Sequence, residues 1–171
     1  MALQLNLDNY GEGRVAPGRC HLLVNAFNEY GEPKSGSHVV ECEVLAHDDP
    51  EQVGKTFKDF IPDPARNGKA VFRLVEFSVG AGLLTREEIK QHQRDGTAPE
   101  IEPKDSEGRQ LFALLVEEEY NGKTNTKVKD GRGYFRIDDP KAADFPRNAG
   151  MLKQAGSAGA TKTAATANPF G

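Results

Sequence analysis

The sequence of 171 residues contains no Trp and only two cysteines, and no apolar run approaches the roughly 20 residues that a membrane-spanning helix needs. Cys20 and Cys42 stand far apart without a CxxC partner, so neither a disulfide framework nor a zinc site is predicted. We expect both thiols to be small buried side chains. The four histidines lack metal-ligand spacing as well. These absences predict a protein without a cofactor, a metal ion or a membrane span.

The remaining composition is that of a globular chain. Hydrophobic residues make up 37% and charged residues 28% of the sequence, which is typical of soluble domains. The opening stretch MALQLNLDNYGEG lacks the basic segment and the apolar core of a secretory signal. We therefore expect a cytoplasmic protein.

Charge and residue size divide the chain at residue 140. Residues 1–140 carry a net charge of −7, whereas residues 141–171 carry +3 and are rich in small side chains. A segment with so few large apolar residues cannot bury enough surface to order itself. The prediction is a folded domain over residues 1–140 and a flexible tail over residues 141–171. Because the domain is acidic, a nucleic-acid site would need a local groove of positive charge.

The hydrophobic pattern predicts the order β-β-β-α-α-β-β. The first three strands are predicted over residues 18–27, 39–47 and 53–61. Helices are predicted over residues 68–84, with Asn67 as the N-cap, and from Thr85 to Gly96, where Thr85 and Glu88 form a capping-box pattern. The last two strands form a hairpin within residues 107–138 that turns at Asn121-Gly122, a favoured hairpin turn.

The return strand of this hairpin has one basic face, because Lys123, Lys127 and Lys129 occupy alternate positions. In a groove that binds single strands, cations follow the phosphates while aromatic rings stack on the bases. Cations and aromatic rings interleave at the candidate binding residues Tyr30, Lys34, Lys55, Phe57, Lys58, Lys123, Lys127, Lys129, Arg132, Tyr134 and Arg136. A second interpretation stays open, in which the Phe side chains fill a core and the lysines only keep the surface soluble.

Two patterns that could indicate catalysis do not satisfy its requirements. The Gly-Lys-Thr triplets at residues 54–56 and 122–124 lack the earlier Gly of a phosphate-binding loop, since Asp49 and Glu117 occupy that position. The acid runs at residues 117–119 and 138–139 lie at strand ends, and no nucleophile has a base beside it. The sequence therefore predicts a protein without enzymatic activity.

Three strands, a helix and a hairpin follow the order of the OB-fold. This five-stranded Greek-key barrel binds oligonucleotides on its second and third strands and on the loops after its first and fourth strands. The predicted fold class is mainly β with a helical insertion, an OB-like barrel followed by the tail.

Short motifs over about residues 3–139 resemble a family of small phage and prophage proteins, long classed as a domain of unknown function, that look like OB-fold single-stranded DNA-binding proteins. These motifs are Pro17-Gly18-Arg19, Lys34-Ser35-Gly36, Gly54-Lys55, Gly108-Arg109 and Tyr120-Asn121-Gly122-Lys123. The resemblance implies a protein of the host-cell cytoplasm that coats single-stranded DNA in replication and recombination. Its implied partners are a phage recombinase, helicase or polymerase, and the sequence leaves open whether it forms a homo-oligomer.

The end of the chain is similar to the tails with which bacterial single-strand binders recruit partners. Pro169 and Phe170 match such tails, but the acids that normally precede them are missing and a final Gly follows. Two other functions remain open from the sequence. One is a protein-binding OB-like adaptor, which the acidic domain favours, and the other is a Mg²⁺-dependent nuclease that uses the acid clusters.

Overall fold

The computed structural model describes residues 2–5, 14–29, 37–63, 68 and 71–155. They form a mainly β structure with one six-stranded antiparallel sheet and few helices. The strands are β1 (Gly18–Asn28), β2 (Ser37–His47), β3 (Thr56–Pro62), β4 (Gln110–Tyr120), β5 (Lys123–Val128) and β6 (Tyr134–Phe135). The helices are α1 (Val71–Gly80), α2 (Arg86–Asp95) and α3 (Ala149–Ala155). None of these helices has the length and apolar character required to cross a membrane.

The strands pair in the order β3-β2-β1-β4-β5, and β6 pairs with β4. The register between β1 and β2 shifts twice, after His21 and after Val24, and such irregularities bend a strand. The two strands at the ends of the pairing order, β3 and β5, approach each other. The backbone N–H of Val128 in β5 donates to the Asp59 carboxylate of β3 at 3.4 Å. The sheet is therefore curled, with a seam between β3 and β5.

The core lies between the inner face of this curled sheet and α1. Alternate strand residues such as Leu22, Val44 and Ile61 are fully buried there and belong to one hydrophobic cluster with Phe77 of α1. Both cysteines are buried in the same cluster without a disulfide, which confirms their predicted role. Burial of this apolar surface supplies the main driving force for the fold.

Two local predictions are confirmed in detail. Asn121 and Gly122 have φ values of 53° and 75°, the left-handed pair that a tight hairpin turn requires between β4 and β5. Thr85 caps α2 with a complete capping box, since its hydroxyl accepts from the N–H of Glu88 while the Glu88 carboxylate accepts from the N–H of Thr85. Gly96 ends α2 with a φ of 71°.

Two predicted boundaries need correction. The helix predicted over residues 68–84 is α1, which ends at Gly80, because Gly82 has a φ of 79° and Leu83 donates back to the Ser78 carbonyl. The predicted N-cap Asn67 lies outside the described residues. The third strand begins at Thr56, not at residue 53, since Gly54 has a φ of 91° and turns the chain first.

Residues 141–155, which the sequence assigns to the flexible tail, belong to the folded part. Ala142 and Phe145 are buried in a second cluster with Phe112 of β4, and Leu152 of α3 packs against it. The Arg147 guanidinium lies 4.5 Å from the centroid of the Phe112 ring. Residues 156–171, with Pro169 and Phe170, lie outside the described residues.

A buried histidine joins the chain before α3 to the sheet. His21 Nδ1 accepts a hydrogen bond from the backbone N–H of Asn148 at 3.0 Å, and its Nε2 lies 2.8 Å from Gln110 Oε1. Because Nδ1 accepts, the proton of the neutral ring is on Nε2. Burial lowers the pKa of His21 below its usual 6.5, and the positive charge of Arg147 lowers it further.

This contact predicts loss of stability in acid. The unfolded chain binds a proton at His21 below about pH 6.5 while the folded chain resists it. The free energy of unfolding should therefore fall as the pH drops below that value, with no contribution from His21 above it. His21→Gln, which cannot titrate, should flatten this part of the pH dependence in urea unfolding between about pH 5 and 7. An unchanged pH slope in the variant would contradict the assignment.

Candidate nucleic-acid interface

A groove of about 940 Å³ opens along the seam between β3 and β5. In β3 the residues alternate, so Phe57, Asp59 and Ile61 are buried whereas Lys58 and Phe60 are exposed. The Phe60 side chain is 54% exposed although it is a large aromatic ring. One wall of the groove therefore presents an aromatic ring and a cation two residues apart.

The opposite wall is formed by residues 124–127 of β5. Arg14 reaches this wall from the segment before β1, where its guanidinium donates to Thr126 Oγ1 and to a Glu117 carboxylate oxygen, both at 3.2 Å. The chain before β1 is thus tied to β4 and β5 and adds a cation to the groove.

The floor of the groove is a buried carboxylate with three donors. Asp59 is 1% exposed and accepts hydrogen bonds from the Tyr134 hydroxyl at 2.6 Å, from the Arg73 guanidinium and from the backbone N–H of Val128. Burial raises the pKa of the Asp59 carboxyl, while the charge of Arg73 and the Tyr134 hydrogen bond act in the opposite direction. This group ties β3, α1 and β5 together beneath the open seam.

The charges lining the groove are mixed. Its cations are Arg14, Lys58, Arg73 and Lys127, and its acids are Asp59, Glu118 and Asp130. The Lys127 ammonium lies 2.9 Å from Glu118 and 2.7 Å from Asp130, and its hydrogen bond keeps the pKa of Asp130 below the usual range. Arg73 also contacts Asp130, at 2.6 Å. Within the described residues, Lys58 is the groove cation that makes no ion pair.

Two of the predicted aromatic residues do not present a ring to a ligand. Phe57 is 3% and Tyr134 4% exposed, because Phe57 faces the core and Tyr134 packs edge-on against Phe77 at a centroid distance of 5.3 Å. These residues take the core role that the second interpretation gave to aromatic side chains. Tyr30 and Lys34 lie outside the described residues.

The predicted cations fall into two groups. Lys55 donates to Gln52 Oε1 at 3.1 Å, Lys127 has its two acidic partners, and Arg136 pairs with Asp138 at 3.0 Å. The other group is exposed and, as far as the structure describes the chain, makes no ion pair: Lys58, Lys123, Lys129 and Arg132. Only Lys58 and Lys127 of all these cations line the groove.

No family model matches the chain, and no curated protein matches it. In the part of the chain that the structure describes, no group of three or more His, Cys, Asp or Glu side chains is arranged to hold a metal ion.

The sequence interpretation missed Phe60, Arg14 and Arg73. Alternation along the strand predicted over residues 53–61 puts Lys58 and Phe60 on one face, so the sequence does contain a signal for Phe60. Both faces of that strand carry one aromatic and one charged residue, so the sequence alone does not show which face is buried. Arg14 and Arg73 had no sequence signal, because their contacts lie across 112 and 57 residues of chain.

Proposed function

We propose that this protein is a non-enzymatic single-stranded DNA-binding protein that acts in phage-type replication and recombination. The observation that carries the proposal is the wall of the β3–β5 groove. There Phe60 exposes an aromatic face beside Lys58, a cation without an ion-pair partner in the described chain. A base would stack on Phe60 while Lys58 contacts the adjoining phosphate.

The arrangement of the strands supports an OB-like barrel as the scaffold. In the pairing order β3-β2-β1-β4-β5 the end strands approach each other, as in a partly open barrel of five strands. The groove lies beside the third strand and the hairpin of the fourth and fifth strands, which are elements that OB-folds use for oligonucleotides.

The mixed charges set an expectation for the salt dependence. Arg14, Arg73 and Lys127 already contact acids of the protein, so they are poor candidates for releasing counterions from DNA. Among the predicted cations that the structure describes, Lys58, Lys123, Lys129 and Arg132 are available, and together they should contribute about −3 to the slope of log affinity against log salt, at about −0.7 for each phosphate contact on a single strand. Stacking would supply much of the affinity.

Fluorescence anisotropy with labelled oligo-dT at several salt concentrations tests the proposal. Binding that weakens with salt, and that exceeds binding to a duplex of equal length, is the expected result. No binding to oligo-dT at low salt would end the proposal. An oligo-rU titration in the same buffer reports the preference between DNA and RNA.

The hairpin lysines should contribute through charge alone. The double variant Lys123→Gln with Lys129→Gln should reduce the magnitude of the salt slope by about 1.4 and weaken binding, because two exposed cations are lost. Its thermal unfolding should match that of the wild-type protein, since neither ammonium has an ion-pair partner among the described residues. A folded double variant with an unchanged salt slope would remove both lysines from the site.

The alternative function is a protein-binding OB-like adaptor. A specific observation favours it, since Phe72 of α1 is 70% exposed and Val71 beside it is 41% exposed, and exposed apolar patches often mark protein contacts. A protein that ignores DNA but co-purifies with a stable partner would support this function instead.

A further inference from the structure

A second cavity, of about 430 Å³, is lined in part by Arg132 of the loop that follows β5. Three cations and one acid line it, together with two aromatic residues: Arg86, Arg132, Lys141, Asp139, Tyr134 and Phe135. The β3–β5 groove has a nearly balanced set of charges, whereas here cations exceed acids by two. Concave sites with excess positive charge concentrate anions.

The charge of this cavity is only weakly neutralised by the protein. Arg132 and Lys141 make no ion pair within the described part of the chain, and the guanidinium of Arg86 meets Glu76 at 3.3 Å from an exposed position. The single lining acid, Asp139, accepts a hydrogen bond from the backbone N–H of Lys141 at 2.9 Å. Asp139 therefore serves to cap the short turn at Pro140–Ala142.

The backbone at Arg132 points to a role for its side chain. Arg132 has a φ of 58°, in the left-handed region that residues with a Cβ seldom adopt. Gly131 before it has a φ of 69°, and a Cβ on Gly133 after it would lie 2.1 Å from the Lys129 carbonyl oxygen. The loop is thus closed tightly around an arginine where glycine would be less strained, and such outliers often occur at functional positions.

We propose that this cavity binds a phosphate group of the DNA strand that occupies the β3–β5 groove. The guanidinium groups of Arg86 and Arg132 would donate to the phosphate oxygens in the forked geometry that favours phosphate, and Lys141 would add a point charge. The inference rests on the proposed function and extends it to a second contact surface.

The β3–β5 groove and the second cavity are close enough for one DNA strand to contact both. Asp130 lines the groove and Arg132 lines the second cavity, and two residues of chain separate their Cα atoms by no more than about 7 Å. Tyr134 also connects them, since its hydroxyl bonds to Asp59 in the groove floor while the residue lines the cavity. A DNA strand that leaves the groove across the loop following β5 would reach the cavity next.

The experiment uses the full chain, labelled oligo-dT and two independent variants. Arg86→Gln combined with Lys141→Gln removes two cations, and Arg132→Asn removes the third with a residue that tolerates the left-handed region. The double variant should bind roughly tenfold more weakly at low salt, the size expected for losing one charged hydrogen bond, and its salt slope should shrink by about 0.7, the value for one phosphate contact on a single strand. Lys104→Gln, an exposed lysine in the lining of neither cavity, should stay within about twofold of the wild-type protein by the same measure.

The outcomes separate this inference from the proposed function. Wild-type protein that fails to bind oligo-dT would overturn the proposed function and this inference with it. Wild-type protein that binds, together with a folded double variant and a folded Arg132→Asn variant that bind equally well, would overturn the inference alone. In a parallel NMR titration of the wild-type protein, inorganic phosphate should shift the Nε–H signals of Arg86 and Arg132. If it does so while both variants bind DNA normally, the cavity takes free phosphate and the assignment to the strand is wrong.

Discussion

Asp59→Ala is expected to lower the free energy of unfolding by about 3–5 kcal/mol, because it removes one partner of a buried ion pair. The carboxylate is 1% exposed, and the side chain of its partner Arg73 is 15% exposed. Without Asp59, the Tyr134 hydroxyl, which bonds to it at 2.6 Å, would be left buried without that acceptor. Urea unfolding of the variant measures the effect.

A matched control and a double variant sharpen this prediction. Asp138→Ala removes an acid that also pairs with an arginine but is 67% exposed, so it should change stability by less than about 0.5 kcal/mol. Asp59→Leu combined with Arg73→Leu should be less destabilising than the sum of the two single changes, since neither charge is then left without its partner. An Asp59→Ala effect no larger than that of Asp138→Ala would contradict the structural role.

Burial raises the pKa of the Asp59 carboxyl. The direction of this shift decides how Asp59 affects the pH dependence of the free energy of unfolding. A raised pKa in the folded state means that the folded protein binds a proton more readily than the unfolded chain at this site. As the pH rises through about 3.8 and above, Asp59 therefore contributes less to stability. His21 has the opposite effect, because its lowered pKa favours the folded state as the pH rises.

The sequence predicted the features of the fold that depend on neighbouring residues. The Asn121-Gly122 turn and the Thr85 capping box are fixed by residues within a few positions of each other, and both are present as predicted. The packing of residues 141–155 was not predicted, because Phe145 is buried against Phe112, far away in the chain. Small residues around it made that segment look like a tail.

In the candidate site, too, the features set by neighbouring residues could be predicted and those set by distant residues could not. Alternation placed Lys58 and Phe60 together but could not decide that Asp59 faces inward, since a buried acid is expected only where donors such as Arg73 and Tyr134 are brought to it. Those donors come from α1 and β6. The groove itself forms because the sheet is curled, and its lining residues come from separate parts of the sequence.

Phe60→Ala is expected to weaken binding to oligo-dT by about 5- to 150-fold, which corresponds to about 1–3 kcal/mol for one base stacked on an aromatic ring. The ring is 54% exposed on the wall of the groove, so its loss should leave the core intact. Because no charge is removed, the salt slope should stay unchanged while the affinity falls at every salt concentration. This separates Phe60 from the lysines.

The chain provides both a matched control and a direct probe for this ring. Phe72→Ala removes a ring that is 70% exposed on α1 and does not line the groove, so its affinity should equal that of the wild-type protein. Phe60→Trp keeps an aromatic face and introduces the only Trp of the chain, whose fluorescence should be quenched as bases stack on it. If Phe60→Ala binds as well as Phe72→Ala, or if saturating oligo-dT does not change the Trp emission, the DNA strand does not contact the β3 wall of the groove. Quenching in Phe60→Trp together with weak binding in Phe60→Ala would place a base on β3, because an aromatic face at this position is then both necessary for affinity and in contact with the DNA.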